Sequence, residues 1–169
     1  MSQNIILGPE TAADAPFVLA LVVEAFGPGR FAKAAERLRE TSLPSPGLSF
    51  VARQSQSVIA TVRLWPILIG ETPALFLGPI AVAPACRDQG LGLNLVNHAC
   101  DAATAAGHGM VLLVGDEPYF QRAGFAATPA RGVIMPGPVD QNRVLLRALA
   151  DNPIWPPTGL AKPWVTERK

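Results

Sequence analysis

The chain is short of charge, cysteine, histidine and tyrosine, and each shortage excludes something. Charged residues are 16% of 169 positions, with 14 Lys and Arg against 13 Asp and Glu for a net charge of +1. A protein that grips nucleic acid through its phosphates carries a basic excess, so nucleic acid is not an expected partner. The 2 cysteines, Cys86 and Cys100, make neither a C-x-x-C pair nor a secreted-type framework, which points to reduced thiols in a cytoplasm. The 2 histidines, His98 and His108, have no partner at ligand spacing, so no metal is expected and both read as structural or solvated. Met1-Ser2-Gln3-Asn4-Ile5 lacks the basic and apolar regions of a signal peptide. No run of about 18 residues is free of charge, Gly and Pro, so no membrane span is expected. A single tyrosine, Tyr119, is the whole supply of phenolic hydroxyl.

What is present is apolar residue, glycine and proline. Hydrophobic content of 49% over 169 residues suits one globular domain with a sizeable core. The 17 prolines fall at the ends of apolar runs and in a tail from Pro153 to Pro163, so they punctuate a fold and leave an irregular C-terminus.

Asn4–Leu7 reads as a short strand closed by Gly8-Pro9. Thr11 and Asp14 have capping-box spacing, with Asp in the Glu place. They open an apolar helix over Asp14–Phe26, expected to be mostly buried and stopped by Gly27-Pro28-Gly29. Arg30–Glu40 puts Phe31, Ala34, Ala35 and Leu38 on one helical face and Lys33, Glu36, Arg37 and Arg39 on the other. After a loop with Pro44 and Pro46 comes a meander. Strands at Leu48–Arg53 and Val58–Ile69 flank the polar turn Gln54-Ser55-Gln56-Ser57, and Gly70-Glu71-Thr72-Pro73 leads into a strand over Ala74–Ala83. Pro66, inside the second strand, calls for a bulge or a free edge. Gly90–Ala106 reads as a helix with Gly107 as its C-cap, and Met110–Val114 as a central strand buried on both faces. Glu117–Ala123 makes a short helix and Val133–Met135 a weak strand. Asn142–Ala150 suits a helix by propensity and a strand by its Val144-Leu145-Leu146 run. The order is mixed α/β with a largely antiparallel sheet, not the regular alternation of a doubly wound fold.

The stretch from Leu77 to Gly92 organises the rest. An apolar strand ends at Ala81-Val82-Ala83-Pro84, and Cys86-Arg87-Asp88-Gln89 turns into a helix through Gly90-Leu91-Gly92. A helix N-terminus offers unpaired N–H groups and positive potential, and glycines let an anion approach the backbone. A Walker A loop would need a Lys after the last glycine, and none follows Gly92. A dinucleotide fingerprint would need a third glycine where Leu95 stands, within a βαβ unit that is absent. A strand–helix turn that uses glycines only for packing is the plain alternative.

Arg87-x-x-Gly90-x-Gly92 after that strand resembles the acyl-CoA pyrophosphate loop of the GNAT superfamily of N-acetyltransferases. Tyr119-Phe120-Gln121-Arg122-Ala123-Gly124-Phe125, one helix and one strand later, resembles the superfamily's next signature, Y-x-x-x-G-F. The Leu77–Val82 run, Gly115-Asp116 and the segment Met135-Pro136-Gly137-Pro138-Val139-Asp140 resemble its YhbS-like branch. The resemblance covers roughly residues 3–150 and is specific over 77–125. It implies a single domain over 1–150 with a mixed, mostly antiparallel sheet of about seven strands flanked by helices. Asn142–Ala150 is then its last strand, and the Pro- and Trp-rich tail 151–169 packs on the same domain.

The resemblance also implies acetyl-CoA as cosubstrate, a small amine as acceptor and direct transfer without a metal. Pantetheine would enter between the fourth and fifth strands. Backbone groups of Ile80, Ala81 and Val82 would hold it, the Val82 N–H would polarise the thioester carbonyl, and Phe120 would lie along it. The N–H groups of Arg87, Asp88, Gln89, Gly90, Leu91, Gly92 and Leu93 would cradle the pyrophosphate, with the Arg87 side chain adding charge. The chain departs from the pattern at the acid and base. The superfamily's tyrosine position holds Phe120, and Tyr119, one residue earlier, is the available acid, rotated by about 100° on a helix. The strand before the loop has no acid, which leaves Asp116 and Glu117 as candidates for the base. For Asp116 the competing role is a helix cap. Cys86 lacks a His to activate it as a nucleophile, and Arg63 could meet an acidic acceptor or be an ordinary surface arginine. The expected acceptor cleft lies among the first two helices, the loop 41–47 and the last strands. The tail, with Trp155 and Trp164, could seal the core, cover that cleft or make a homodimer contact. Two functions stay open: an N-acyltransferase, and a module that binds acyl-CoA without turnover.

Overall fold

The computed structural model describes residues 4–27, 34–151 and 153–165. Strand β1 (Ile5–Pro9) leads through a 3₁₀ turn at Ala12–Asp14 into helix α1 (Ala15–Phe26), and a short helix α2 (Ala34–Arg37) follows. Strands β2 (Ser49–Gln54), β3 (Ser57–Ile69) and β4 (Thr72–Val82) form the meander. Helix α3 (Leu91–Ala105), strand β5 (Met110–Val114) and helix α4 (Glu117–Phe120) come next, then β6 (Val133–Ile134), β7 (Val144–Ala148) and β8 (Gly159–Pro163). The sheet runs β1-β2-β3-β4-β5-β7; every pairing along it is antiparallel except β4 with β5. The meander, the α3 helix and the central β5 thus fall where the sequence places them. Of the second predicted helix, Arg30 to Lys33 lie outside the described residues, as do Pro28 and Gly29.

Alternation along the strands splits the core into two layers. Leu75, Leu77, Val111, Leu113 and Leu145 face α3, whose Leu95, Val96, Ala99 and Ala103 are fully buried against them. Phe76, Met110, Leu112, Val144 and Leu146 face the other way, onto Ala34 and Leu38 around α2 and onto Ala130, Val133 and Ala161. Because β5 lies between β4 and β7, both of its faces are covered, which is why five apolar residues run without a polar break.

Three expectations need correction. Helix α1 is apolar but not buried: only Val18 and Val22 are, while Phe17, Leu19 and Val23 stand 61%, 55% and 49% exposed. The tail is not wholly irregular: β8 pairs antiparallel with the end of β3 through Ile67↔Pro163 and Ile69↔Ala161, and parallel with β6, which raises the strand count to eight. Asn142–Ala150 is a strand only over Val144–Ala148, where pairing to β5 overrides helix propensity.

Pro66 sits on the side of β3 where its pairing passes from β2 to β8, not at a free edge. Leu64 donates to Leu48 and is the last contact of β3 with that side before β8 begins at Ile67. The missing N–H of Pro66 falls in this gap, and its carbonyl accepts from Trp164 N–H at 3.1 Å. The irregularity in the ladder lies across the sheet instead. Between Val62↔Ile80 and Leu64↔Leu77, β3 spends one residue and β4 spends Gly78 and Pro79, so β4 bulges there. Trp65 Nε1 donates to the Gly78 carbonyl at 2.5 Å and satisfies the group the bulge frees.

Candidate active site

The bulge marks where β4 leaves β5. The two strands pair only at Leu75↔Val111 and Phe76↔Leu112, and beyond them a cavity of about 600 Å³ opens. Its walls come from both strands (Leu77, Ile80, Leu113, Val114), from Phe120 on α4, from the region of α1 and α2 (Phe26, Ala35, Arg39), and from Val139 and Arg143 ahead of β7. Of the expected acceptor cleft, only the region of the first two helices lines it; among the described residues nothing from the loop 41–47, the last strands or the tail does.

Backbone direction along β4 follows from one bond. Ala83 N–H donates to Ile59 of β3 at 2.7 Å, so the N–H and C=O of Val82, one residue back, point away from β3 and into the gap. Register is regular from Ile80 to Val82, so Ile80 shares that direction, whereas the backbone groups of Ala81 face β3. The Val82 carbonyl already accepts from Arg87 Nε at 3.2 Å.

The loop after β4 is built to present donors. Pro84–Cys86 makes a 3₁₀ turn, Asp88 (φ 64°) and Gly90 (φ 73°) take left-handed backbone, and Gly90 starts α3. The Arg87 N–H, expected among the donors, is taken by the Pro84 carbonyl at 3.4 Å; among the described residues the N–H groups of Asp88 through Leu93 have no acceptor, and the first amide of α3 to find one is Asn94, on Gly90 at 3.0 Å. Asp88, Gln89 and Gly90 are exposed, while Leu91, Gly92 and Leu93 are buried at the start of α3, whose dipole adds positive potential there.

Aromatic residues close the opposite side. Phe120 lines the cavity and packs edge-on against Tyr119 (4.9 Å between centroids) and Phe125 (6.4 Å). Gly115 makes room for it, since a Cβ there would lie 2.3 Å from Phe120 Cε2. Tyr119 turns the other way, toward α3: a Cβ on Gly92 would lie 2.9 Å from Tyr119 Oη and 3.8 Å from Val82 Cγ2. The one-residue offset from the superfamily's pattern therefore puts the ring of Phe120 in the cavity and the hydroxyl of Tyr119 beside the loop.

The carboxylate candidates separate. Asp116 occupies the N-cap position of α4, but its backbone carbonyl takes the N–H groups of Tyr119 and Phe120, and its side chain makes no cap bond. It lines the cavity, in place of the capping role the sequence suggested. Glu117 is engaged elsewhere, accepting from the Ala127 N–H. Arg63 pairs with Glu10 through two bonds and lies outside the cavity, so it does not face an acceptor there. His98 stacks edge-on against Phe50 at 4.8 Å, and burial holds the half-buried His108 below the usual imidazole range. Burial pushes the Cys100 thiol up to about 11, whereas Cys86 is only partly buried in the loop. Among the described residues no group of His, Cys, Asp and Glu could hold a metal ion, and no helix is long and apolar enough to cross a membrane.

Sequence reasoning missed Arg39 and Arg143. The Arg39 side chain is 11% exposed, bonded to Glu36 at 2.6 Å and seated 5.7 Å above the Phe76 ring. The Arg143 backbone is pinned, donating to Asp140 and accepting from Gly115, both at 2.9 Å. They lie far apart in the chain, so only the fold brings them to one cavity.

A sheet splayed where parallel β4 and β5 part, with β4 leading through a donor loop into a helix N-terminus, is the architecture of acyl-CoA-dependent transferases. The model of the acetyltransferase (GNAT) family matches residues 16–125, and the chain belongs to that family. Its structure is similar to that of the GNAT family N-acetyltransferase YhbS from Escherichia coli in complex with CoA. The two share 26% identity and a TM-score of 0.81 over 97% of this chain and 92% of that one. A GNAT family acetyltransferase from Brucella melitensis in complex with acetyl-CoA shares the fold at 23% identity, with a TM-score of 0.71 over 95% of this chain and 96% of that one. No curated protein matches the sequence.

Proposed function

We propose that the protein is an acetyl-CoA-dependent N-acyltransferase that moves an acetyl group to a small amine by direct attack. The observation that carries this reading is the splay of β4 from β5 beside a cavity of about 600 Å³, with β4 running straight on into the loop of unpaired amides Asp88–Leu93. Those amides and the α3 dipole suit a pyrophosphate. The gap suits the extended pantetheine, whose amides would bond the inward-facing groups of Ile80 and Val82. The Phe120 ring supplies an apolar wall. In the reaction the amine nitrogen bonds to the thioester carbon, the C–S bond breaks, sulfur leaves with the electron pair and takes a proton, and the nitrogen loses one. The Val82 N–H would polarise the carbonyl as its oxygen gains charge. Asp116, whose carboxylate is unspent, would take the amine's proton, and Tyr119 would supply one to the thiolate.

Acetyl-CoA titrated by calorimetry should bind at a single site, and absence of binding sinks the reading. A second reading, binding without turnover, is favoured by Phe120 standing where the superfamily has its tyrosine. Release of free thiol above the hydrolysis blank with any amine of a panel decides for the enzyme.

A further inference from the structure

We propose that the acceptor is a small apolar amino acid or a like zwitterion, with its carboxylate on Arg143 and its amine beside Asp116. This rests on the acyltransferase reading and names the substrate class of the same cavity.

The lining is apolar apart from Arg39, Arg143 and Asp116. The charges are not equivalent. Arg39 is already matched: Glu36 takes its Nη2 and Phe76 lies beneath it. Arg143 has no hydrogen-bond or ion-pair partner for its side chain among the described residues, and neither has Asp116. They line one cavity without meeting each other. The acid nearest to Arg143 in sequence, Asp140, makes no ion pair with it; its Oδ1 accepts from Asn142 N–H at 3.0 Å. That bond and the pinned backbone of Arg143 fix where its side chain leaves the main chain, next to Gly115 at the end of β5; Arg143 and Asp116 are both exposed, at the open side of the cavity.

A cavity with one unmatched cation and one unmatched anion complements a ligand carrying both signs. Guanidinium and carboxylate fit as a planar fork, which a neutral amine cannot exploit. A carboxylate on Arg143 places the amine of the same ligand toward Asp116, which can relieve it of its proton before attack. The apolar walls of Phe76, Val114 and Val139 set the side chain, and the shared volume with pantetheine keeps it small.

The test uses the full chain with acetyl-CoA and pairs of amines matched except for the acid: an α-amino acid, its decarboxylated amine and its aminophosphonate, read as free thiol. The carboxylated member should have a kcat/KM at least about tenfold above its neutral partner. R143A should raise KM for the amino acid at least about tenfold more than for the amine, with R143K recovering part of the loss. D116N should act on kcat and shift its pH profile. The acetyl-CoA affinity of R143A, measured by calorimetry, should stay within about twofold of the parent. Neutral amines turned over as well as their acids, or no turnover of any amino acid while acetyl-CoA binds, overturns the proposal and leaves acyl-CoA binding standing. A preference for the phosphonate, or loss of acetyl-CoA affinity in R143A, overturns it too, by giving the guanidinium to a phosphate. Failure of the parent protein to bind acetyl-CoA is the separate failure of the acyltransferase reading.

Discussion

The hydroxyl of Tyr119 lies where a side chain on Gly92 would go: a Cβ on Gly92 would be 2.9 Å from Tyr119 Oη. The second glycine of the loop and the sole tyrosine of the chain are thus fitted to each other. Gly92→Ala should weaken acetyl-CoA binding by about 1 kcal/mol, roughly fivefold, because either the tyrosine or the first turn of α3 must give way. Tyr119→Phe removes the clashing oxygen. In a double-mutant cycle read by calorimetry, G92A should cost less in the Y119F background than in the parent. Strict additivity would separate the two residues.

The same tyrosine bears on catalysis. If Tyr119 protonates the leaving thiolate, Y119F should lower kcat by about 10²-fold or more at neutral pH while leaving the affinity for acetyl-CoA nearly as it was. An unchanged kcat at every pH removes Tyr119 from the mechanism and leaves the thiolate to solvent.

Much of this site is legible in the sequence, for physical reasons that can be named. The donor loop is local: Pro84, Gly90 and Gly92 fall within one turn of chain and encode a strand end, a left-handed cap and a close approach without reference to anything distant. Strand β5 is legible because burial on both faces leaves a continuous apolar run. What the sequence hides is pairwise and long-range. Arg39 and Arg143 become one feature only when the turn after α2 and the turn before β7 line the same cavity. The exposure of α1 is hidden too, since an apolar helix reads as buried whether or not anything covers its outer face. Strand β8 is short and closed by Pro163, and it exists because the end of β3 offers an unpaired edge. The direction of Tyr119 against Phe120 is hidden as well, since one residue of helical rotation decides which ring enters the cavity.

Gly115 and Phe120 make a second fitted pair, and here the conflict is inside the core. A Cβ on Gly115 would lie 2.3 Å from Phe120 Cε2, 2.7 Å from its Cδ2 and 3.2 Å from Leu113 Cδ1. Gly115→Ala should therefore destabilise the protein by about 1–3 kcal/mol through overpacking, seen as a lower Tm. Trimming the ring in G115A/F120L should return part of that loss. A G115A protein with the parent Tm would mean that Phe120 moves freely, and the cavity would lose its fixed wall.

Asp14 ties the first helix to the sheet. Its carboxylate accepts from Thr11 N–H at 2.7 Å and from Thr11 Oγ1 at 3.0 Å, and it pairs with Arg53 of β2. The Thr11 backbone bond foremost, then the Thr11 hydroxyl and Arg53, hold it below the ordinary carboxylate value of 3.8 against the opposing effect of burial. A carboxylate depressed in the folded state stabilises the protein above its unfolded pKa, and that contribution disappears as pH falls through the folded value. Asp14→Asn should cost about 1–2 kcal/mol at pH 7 by weakening the cap and the ion pair. The difference in Tm between parent and variant should narrow as pH drops below about 4, because the parent then loses the same charge. A gap that stays constant down to pH 2 would assign the loss to shape rather than charge, and would release Arg53 from any part in holding α1 to the sheet.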